Sequence, residues 1–287
     1  MDLGRPSRWG AIMLFVGIAL AGASGAARAA GLPWVAYYAA DLPASAFYGY
    51  DLVIFEPDRH PPIEPLVDRG KQVLGYISLG EIHETRPYFA EAKAEGLLLM
   101  ENENWKGSHF VDVRNPRWIK RVVETLVPAI LHRGFQGIFL DTLDNPPHLE
   151  RLDPKAYAGM SEAGALLVRT LRRHFPRMPI VMNRGYELLP SVERDIDMIL
   201  GESVYADYDF AGKRYQRVDE ASYRIQVELL TASARRQPKL KILTLDYWNP
   251  DDAPGIAEIY RIQEANGFHP YVATVELDRL VPRPKRP

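Results

Sequence analysis

The chain has 287 residues, no cysteine and a formal net charge of −2. Without cysteine it has no disulfide framework, no thiol nucleophile and no lipid-modified cysteine, so its core must hold it together. The slightly acidic balance argues against a nucleic-acid partner, which favours a clearly basic face.

The first feature along the chain is a leader. Arg5 and Arg8 precede an apolar run from Ala11 to Ala23, which gives way to small residues and Ala27-Arg28-Ala29. That order reads as a secretory signal peptide over residues 1–30. The apolar run is too short to span a bilayer comfortably, and no later stretch approaches the roughly 20 apolar residues of a membrane helix. An exported protein, periplasmic or released, is expected, with no stable membrane span after the leader. Asp2 against Arg5, Arg8 and Arg28 gives the leader a charge of +2, leaving about −4 on the remainder. That remainder is close to the roughly 250 residues of one (β/α)₈ barrel, so a single domain over residues 31–280 is expected. The Pro- and Arg-rich tail at 281–287 is expected to fray.

Short apolar, β-rich runs bounded by turn residues predict strands at Trp34 to Tyr38, Leu52 to Phe55, Gln72 to Ser78 and Gly137 to Leu140, then at Ile180 to Asn183, Met198 to Gly201, Lys241 to Leu245 and Tyr271 to Val275. Helical patterns lie between most of them. Asn115-Pro116 supplies an N-cap followed by proline at the first helical position, and Trp118, Val122, Leu126 and Ile130 share a face. Pro128 should kink that helix. Ser161 is read as the cap of a segment striped by Leu166, Leu167, Thr170 and Leu171; Asp219 opens a helix running to Arg235; Asp252 starts one that Gly267 ends. Eight strands in βαβα order favour an α/β fold, a closed (β/α)₈ TIM barrel, over an open doubly wound sheet. His109 to Val113, inside the long connection from Ser78 to Gly137, reads as an additional strand that would shift the count if it joined the barrel.

Residues at the C-terminal strand ends of such a barrel converge on one mouth, and here those ends carry Asp58, Ser78, Glu81, Asp141, Asp144, Asn183, Glu202 and Asp246. Any one of them reads equally as a helix cap or a loop anchor. Asp141 and Glu202 each follow a buried apolar run directly, and Glu is a poor cap that is rarely buried alone. A facing carboxylate pair is the minimum equipment of a glycoside hydrolase. Aromatic residues cluster beside these acids: Tyr37 and Tyr38, Tyr76, Tyr205 and Tyr208, Tyr247 and Trp248. Sugar rings stack on such side chains while their polar groups seek carboxylates and amides. Tyr38, Asp58, Tyr76, Ser78, Glu81, Asp144, Asn183, Tyr205, Asp207, Asp246, Tyr247 and Trp248 are the candidate substrate contacts, and Tyr205 is a candidate apolar wall for Glu202. The seven histidines include no H-E-x-x-H, so no metal site is expected, and no nucleotide fingerprint follows a strand, so no cofactor is expected.

Tyr76-Ile77-Ser78-Leu79-Gly80-Glu81, Phe110-Val111-Asp112-Val113 ahead of Asn115-Pro116-Arg117-Trp118, Gly134 to Asp141, and Gly201-Glu202-Ser203 resemble glycoside hydrolase family 114 and the related Pel polysaccharide hydrolase domain. The resemblance runs through nearly the whole mature chain. It implies an endo-acting α-1,4-galactosaminidase cleaving a partly de-N-acetylated, cationic galactosamine polymer, with the two catalytic acids at Asp141 and Glu202. A monomer acting without a deacetylase domain is expected. The sequence leaves open which acid is the nucleophile and whether the reaction retains or inverts. It leaves open, too, a non-catalytic polysaccharide-binding barrel or a glycosidase of the same fold acting on another glycan.

Overall fold

The computed structural model describes residues 31–284; the leader expected at residues 1–30 and the last three residues of the tail lie outside the described residues. Eight apolar runs form parallel strands: β1 (Trp34–Tyr37), β2 (Leu52–Phe55), β3 (Gln72–Ser78), β4 (Gly137–Asp141), β5 (Ile180–Asn183), β6 (Met198–Glu202), β7 (Lys241–Tyr247) and β8 (His269–Ala273). They lie in one sheet in chain order, each paired in parallel with the next. Helices cover one side and the barrel interior fills the other, which is why almost every strand position is buried and the runs are continuous rather than alternating. At the seam the Trp34 indole N–H donates to the His269 carbonyl at 2.8 Å, and the Tyr38 amide donates to the Leu277 carbonyl at 2.8 Å. The result is a nearly closed (β/α)₈ barrel.

The last strand begins two residues before the expected Tyr271. Pro270 reads in sequence as a breaker, but it stands at the opening of β8, where a missing donor is tolerated. Three helix starts follow the sequence: Asn115 accepts from the Arg117 amide, Asp219 from Ser222 and Asp252 from Gly255, each at 3.0 Å. The helix over Met160–His174 does not start as expected. Ser161 lies inside it, and the Glu150 carboxylate takes the amides of Gly159 and Ser161 at 2.9 Å each, so the cap comes from a neighbouring helix. Around Pro128 the chain runs through a π-helical stretch at Val122–Leu126, in which the Val127 amide reaches back five residues to the Val122 carbonyl. The widened turn accommodates the donor that Pro128 lacks.

Two excursions rise from the C-terminal rim. After β3 come three short antiparallel strands in the order Glu81–His83, Ser108–Val111, Leu98–Glu101, so the run near His109 belongs to a side sheet and the barrel keeps eight strands. After β6 comes a hairpin of Ala206–Asp209 and Arg214–Arg217. Among the described residues no helix is long and apolar enough to cross a membrane.

Candidate active site

Three neighbouring strands deliver the central groups by one device. Asp141 ends β4, Asn183 ends β5 and Glu202 ends β6, and the residue after each is in the left-handed region: Thr142 at φ 63°, Arg184 at 48° and Ser203 at 53°. A left-handed residue turns the chain abruptly at the strand's end, leaving the preceding side chain held by the ladder and facing inward. None of the three is glycine, so each is a local cost of about 1–2 kcal/mol that the surroundings must offset. Around Thr142 the compensation is visible. Its hydroxyl accepts from the Gly80 amide at 2.7 Å and the Leu79 amide at 3.2 Å, and donates to the Asp141 carbonyl at 2.7 Å. Gly80 is required there, because a Cβ would lie 2.1 Å from the Thr142 carbonyl oxygen.

The two acids share a ligand. The Asn183 side-chain amide donates to Asp141 Oδ1 at 3.0 Å and to Glu202 Oε2 at 2.7 Å. The Tyr76 hydroxyl donates to Asp141 Oδ2 at 2.7 Å, and the Tyr247 hydroxyl donates to Glu202 Oε1 at 2.5 Å. One amide nitrogen thus holds an oxygen of each acid within hydrogen-bond distance, which brings the two carboxyl groups together at the centre of the mouth. Burial pushes the carboxyl of Asp141 above its ordinary range, with the bonds from Asn183 and Tyr76 pulling it part of the way back. Burial also raises Glu202, the nearby charge of Asp141 raises it further, and the bonds from Tyr247 and Asn183 oppose both.

These groups stand in a cavity of about 510 Å³ at the barrel mouth. Of the candidates from sequence, Asp141, Glu202, Tyr38, Tyr76, Glu81, Asp144, Asn183 and Tyr247 line it. Tyr38 packs edge-on against Tyr76 at 5.5 Å, and Glu81 accepts from the amides of Asn102 at 2.9 Å and Asn145 at 3.1 Å.

The other six candidates lie elsewhere. Asp58 is paired with Arg86 and Arg133, each at 3.0 Å, outside the cavity. Ser78 donates to the Glu81 carbonyl at 2.7 Å and anchors the turn. Tyr205 packs against Tyr223 and Arg217, so the partner of Glu202 is Tyr247 rather than Tyr205. Asp207 accepts from the Ser203 hydroxyl at 2.6 Å, and the Trp248 indole donates to Asp252 at 2.9 Å. Asp246 is fully buried, accepting from the amides of Tyr205 at 2.6 Å and Ala206 at 2.9 Å and from Gln263 at 2.7 Å. Successive strand residues face opposite sides, so with Tyr247 in the cavity Asp246 must face the helices.

Sequence reasoning passed over Glu56, Arg86, Asn102, Trp105, Asn145 and Arg184, which also line the cavity. Glu56 had a signal: it directly follows the apolar run Leu52 to Phe55, as Asp141 follows its own. Arg86 clamps Glu56 through two bonds of 2.7 and 2.9 Å, and Arg184 stands 3.9 Å from Asp144. Among the described residues Glu81, Asp141 and Glu202 make no ion pair, though the charge of Arg184 reaches Glu202 and opposes its rise.

The same barrel recurs in known proteins. The glycoside hydrolase domain of PelA from Pseudomonas aeruginosa superposes with a TM-score of 0.78 at 24% identity, covering 88% of this chain and 99% of that one. The Aspergillus fumigatus protein Ega3, solved in complex with galactosamine, superposes with a TM-score of 0.67 at 15% identity, covering 88% of this chain and 95% of that one. At these identities the likeness establishes the fold. An uncharacterized protein of Thermotoga maritima is 24% identical over 231 residues, 75% of this chain and 69% of its own length. One of Methanocaldococcus jannaschii is 33% identical over 85 residues, 29% of this chain and 24% of its own length, so the chain spans about a quarter of that relative. The family model described as glycoside-hydrolase family GH114 matches residues 21–286, and with its carboxylate pair at the mouth of a (β/α)₈ barrel this chain belongs to that family of glycoside hydrolases.

Proposed function

We propose that this protein is an exported, endo-acting hydrolase of α-1,4-linked galactosamine and N-acetylgalactosamine polysaccharide, and that it works with retention of configuration. The carrying observation is the shared amide: one nitrogen within 3.0 Å of an oxygen of each acid holds the carboxyls close, which supports the short separation of a retaining pair. Asp141 is the nucleophile. Its carboxylate, fixed by Asn183 and Tyr76, attacks the anomeric carbon while Glu202 gives its proton to the departing glycosidic oxygen. In the second step Glu202 takes a proton from water, which displaces Asp141 from the glycosyl ester. Glu202 suits the proton-holding role because the charge of Asp141 favours its protonated form.

Substrate charge follows from the unmatched acids. Glu81 and Asp141 favour a sugar bearing a free amine, and the galactosamine bound in Ega3 supports the same class. Incubating residues 31–287 with partly de-N-acetylated and fully acetylated galactosamine polymers, then sizing the products, tests this reading. Long internal fragments from the partly deacetylated polymer are expected, the newly formed reducing ends keeping the α configuration by NMR before mutarotation. Asp141→Asn and Glu202→Gln are each expected to abolish cutting. Full activity in both variants would falsify the mechanism, and polymer binding without products in the wild type would favour a carbohydrate-binding barrel.

A further inference from the structure

Trp105 and Phe210 are two of the largest exposed apolar side chains, 56% and 59% accessible, and their rings meet edge-on with centroids 5.7 Å apart. They come from different excursions. Trp105 lies in the side sheet that follows the third barrel strand, and Phe210 at the tip of the hairpin that follows the sixth. In an eight-strand ring those origins lie across the mouth from each other, with β4 and β5, the strands of Asp141 and Asn183, between them. The contact joins the two excursions; Trp105 lines the mouth, whereas Phe210 lines neither cavity and backs the Trp105 ring. Phe210 continues into Tyr208 at 5.2 Å and Tyr215 at 5.0 Å from Tyr208, so the arch is anchored in a row of rings on the hairpin.

Beyond the arch lies a second cavity of about 360 Å³, over the loops that follow β4 and β5. It shares Asn102, Trp105, Asp144, Asn145 and Arg184 with the catalytic cavity, so the two are continuous with Trp105 as the common wall. Their charges differ. The acids of the outer cavity, Asp144 and Glu187, are each set against an arginine, Arg184 at 3.9 Å and Arg151 in direct contact. What remains in the outer cavity is amide, imidazole and aromatic surface, suited to the apolar face and neutral polar groups of a pyranose rather than to a free amine.

Building on the proposed glycosidase reading, we propose that the outer cavity is a distal subsite for an uncharged, N-acetylated sugar of the same chain, reached past Trp105, whose ring is held in the aromatic arch by Phe210. A polymer occupying both cavities passes Trp105; a fragment too short to reach the outer one gains nothing from it.

The test compares partly N-acetylated galactosamine polymer with a trisaccharide prepared from it, on wild type, Trp105→Ala, Phe210→Ala and Phe210→Tyr. The ratio of KM on polymer to KM on trisaccharide is expected to rise about tenfold in each alanine variant, the scale of one lost ring contact, and to stay near the wild-type value in Phe210→Tyr, which keeps the ring. Both side chains are more than half exposed, so truncation leaves the core in place, and an unchanged melting temperature verifies it. An unchanged ratio in both alanine variants overturns the arch while leaving the glycosidase reading intact. A wild type that cuts neither substrate overturns that reading, and the subsite with it.

Discussion

Asn183 directs both hydrogens of its amide at acids, and its Oδ1 is buried without a hydrogen-bond partner. Turned over, the amide would aim its oxygen at two carboxylates, so the orphaned acceptor is the cost of the only tolerable orientation. Its two donor bonds stabilise the ionised forms of Asp141 and Glu202. Asn183→Ala is therefore expected to lower kcat by about two to three orders of magnitude, as loss of a preorganised donor does elsewhere. Both carboxyls should also rise further, moving the acid limb of the pH–rate profile to higher pH; a fall in kcat with an unmoved profile would assign Asn183 to substrate contact alone. Asp246 gives the opposite kind of residue, an acid with no path to the cavity. Burial pushes it up to about 6 despite three N–H donors. A carboxyl raised on folding binds its proton more tightly in the native state, so its contribution is favourable at low pH and is lost as pH rises from the ordinary carboxylate range through 6. That loss is about 3 kcal/mol at most. Asp246→Asn keeps an acceptor for the two amides and lets Gln263 turn its oxygen toward the new donor. Denaturant titrations from pH 4 to 8 should show a flatter pH dependence in the variant than in the wild type.

At the level of strands and turns, what was legible was a short apolar run ended by an acid, because a strand buried on both faces stays apolar until the chain leaves the sheet. Glu56 obeys the same rule after β2 and was readable by it. The left-handed turn after β4, β5 and β6 was not legible, since Thr142, Arg184 and Ser203 carry none of the residue types that favour that conformation. Nor was the cap supplied by Glu150 to Gly159 and Ser161, a contact set by tertiary packing rather than by local order. Arg184 isolates the cost of the device, since its weak 3.9 Å pair with Asp144 contributes little at a half-exposed site. Arg184→Gly is expected to stabilise the fold by about 1 kcal/mol, a rise in Tm of roughly 2–4 °C for a domain of this size. Arg184→Ala keeps the strained φ and should bring no such gain. Should Gly and Ala variants melt together, the strain lies elsewhere.

Across the molecule the barrel separates two kinds of acid that look alike in sequence. Asp58, Asp207 and Asp246 are matched by arginines, a hydroxyl or amides and hold loops in place, whereas Asp141 and Glu202 are held close together in a half-buried cavity with one amide between them. Proximity to a strand end revealed all of them but Asp207; which way each side chain faces needed the alternation along the strand and the partners on other elements. The proposed catalytic pair also opposes folding. Both carboxyls are raised by burial, so each ionises less readily in the native state, and stability from this source is present at low pH and lost as pH rises through the native pKa values. Glu202→Gln removes one ionisable partner, keeps an acceptor for Tyr247 or Asn183, and relieves Asp141 of a neighbouring charge. This variant is thus expected to melt above the wild type at pH 8, by a few degrees for about 1 kcal/mol, with the difference shrinking toward zero by pH 4. Calorimetry at the two pH values decides it: a Tm difference that is absent at pH 8, or equal at both, would mean that the paired acids place no ionic burden on this barrel.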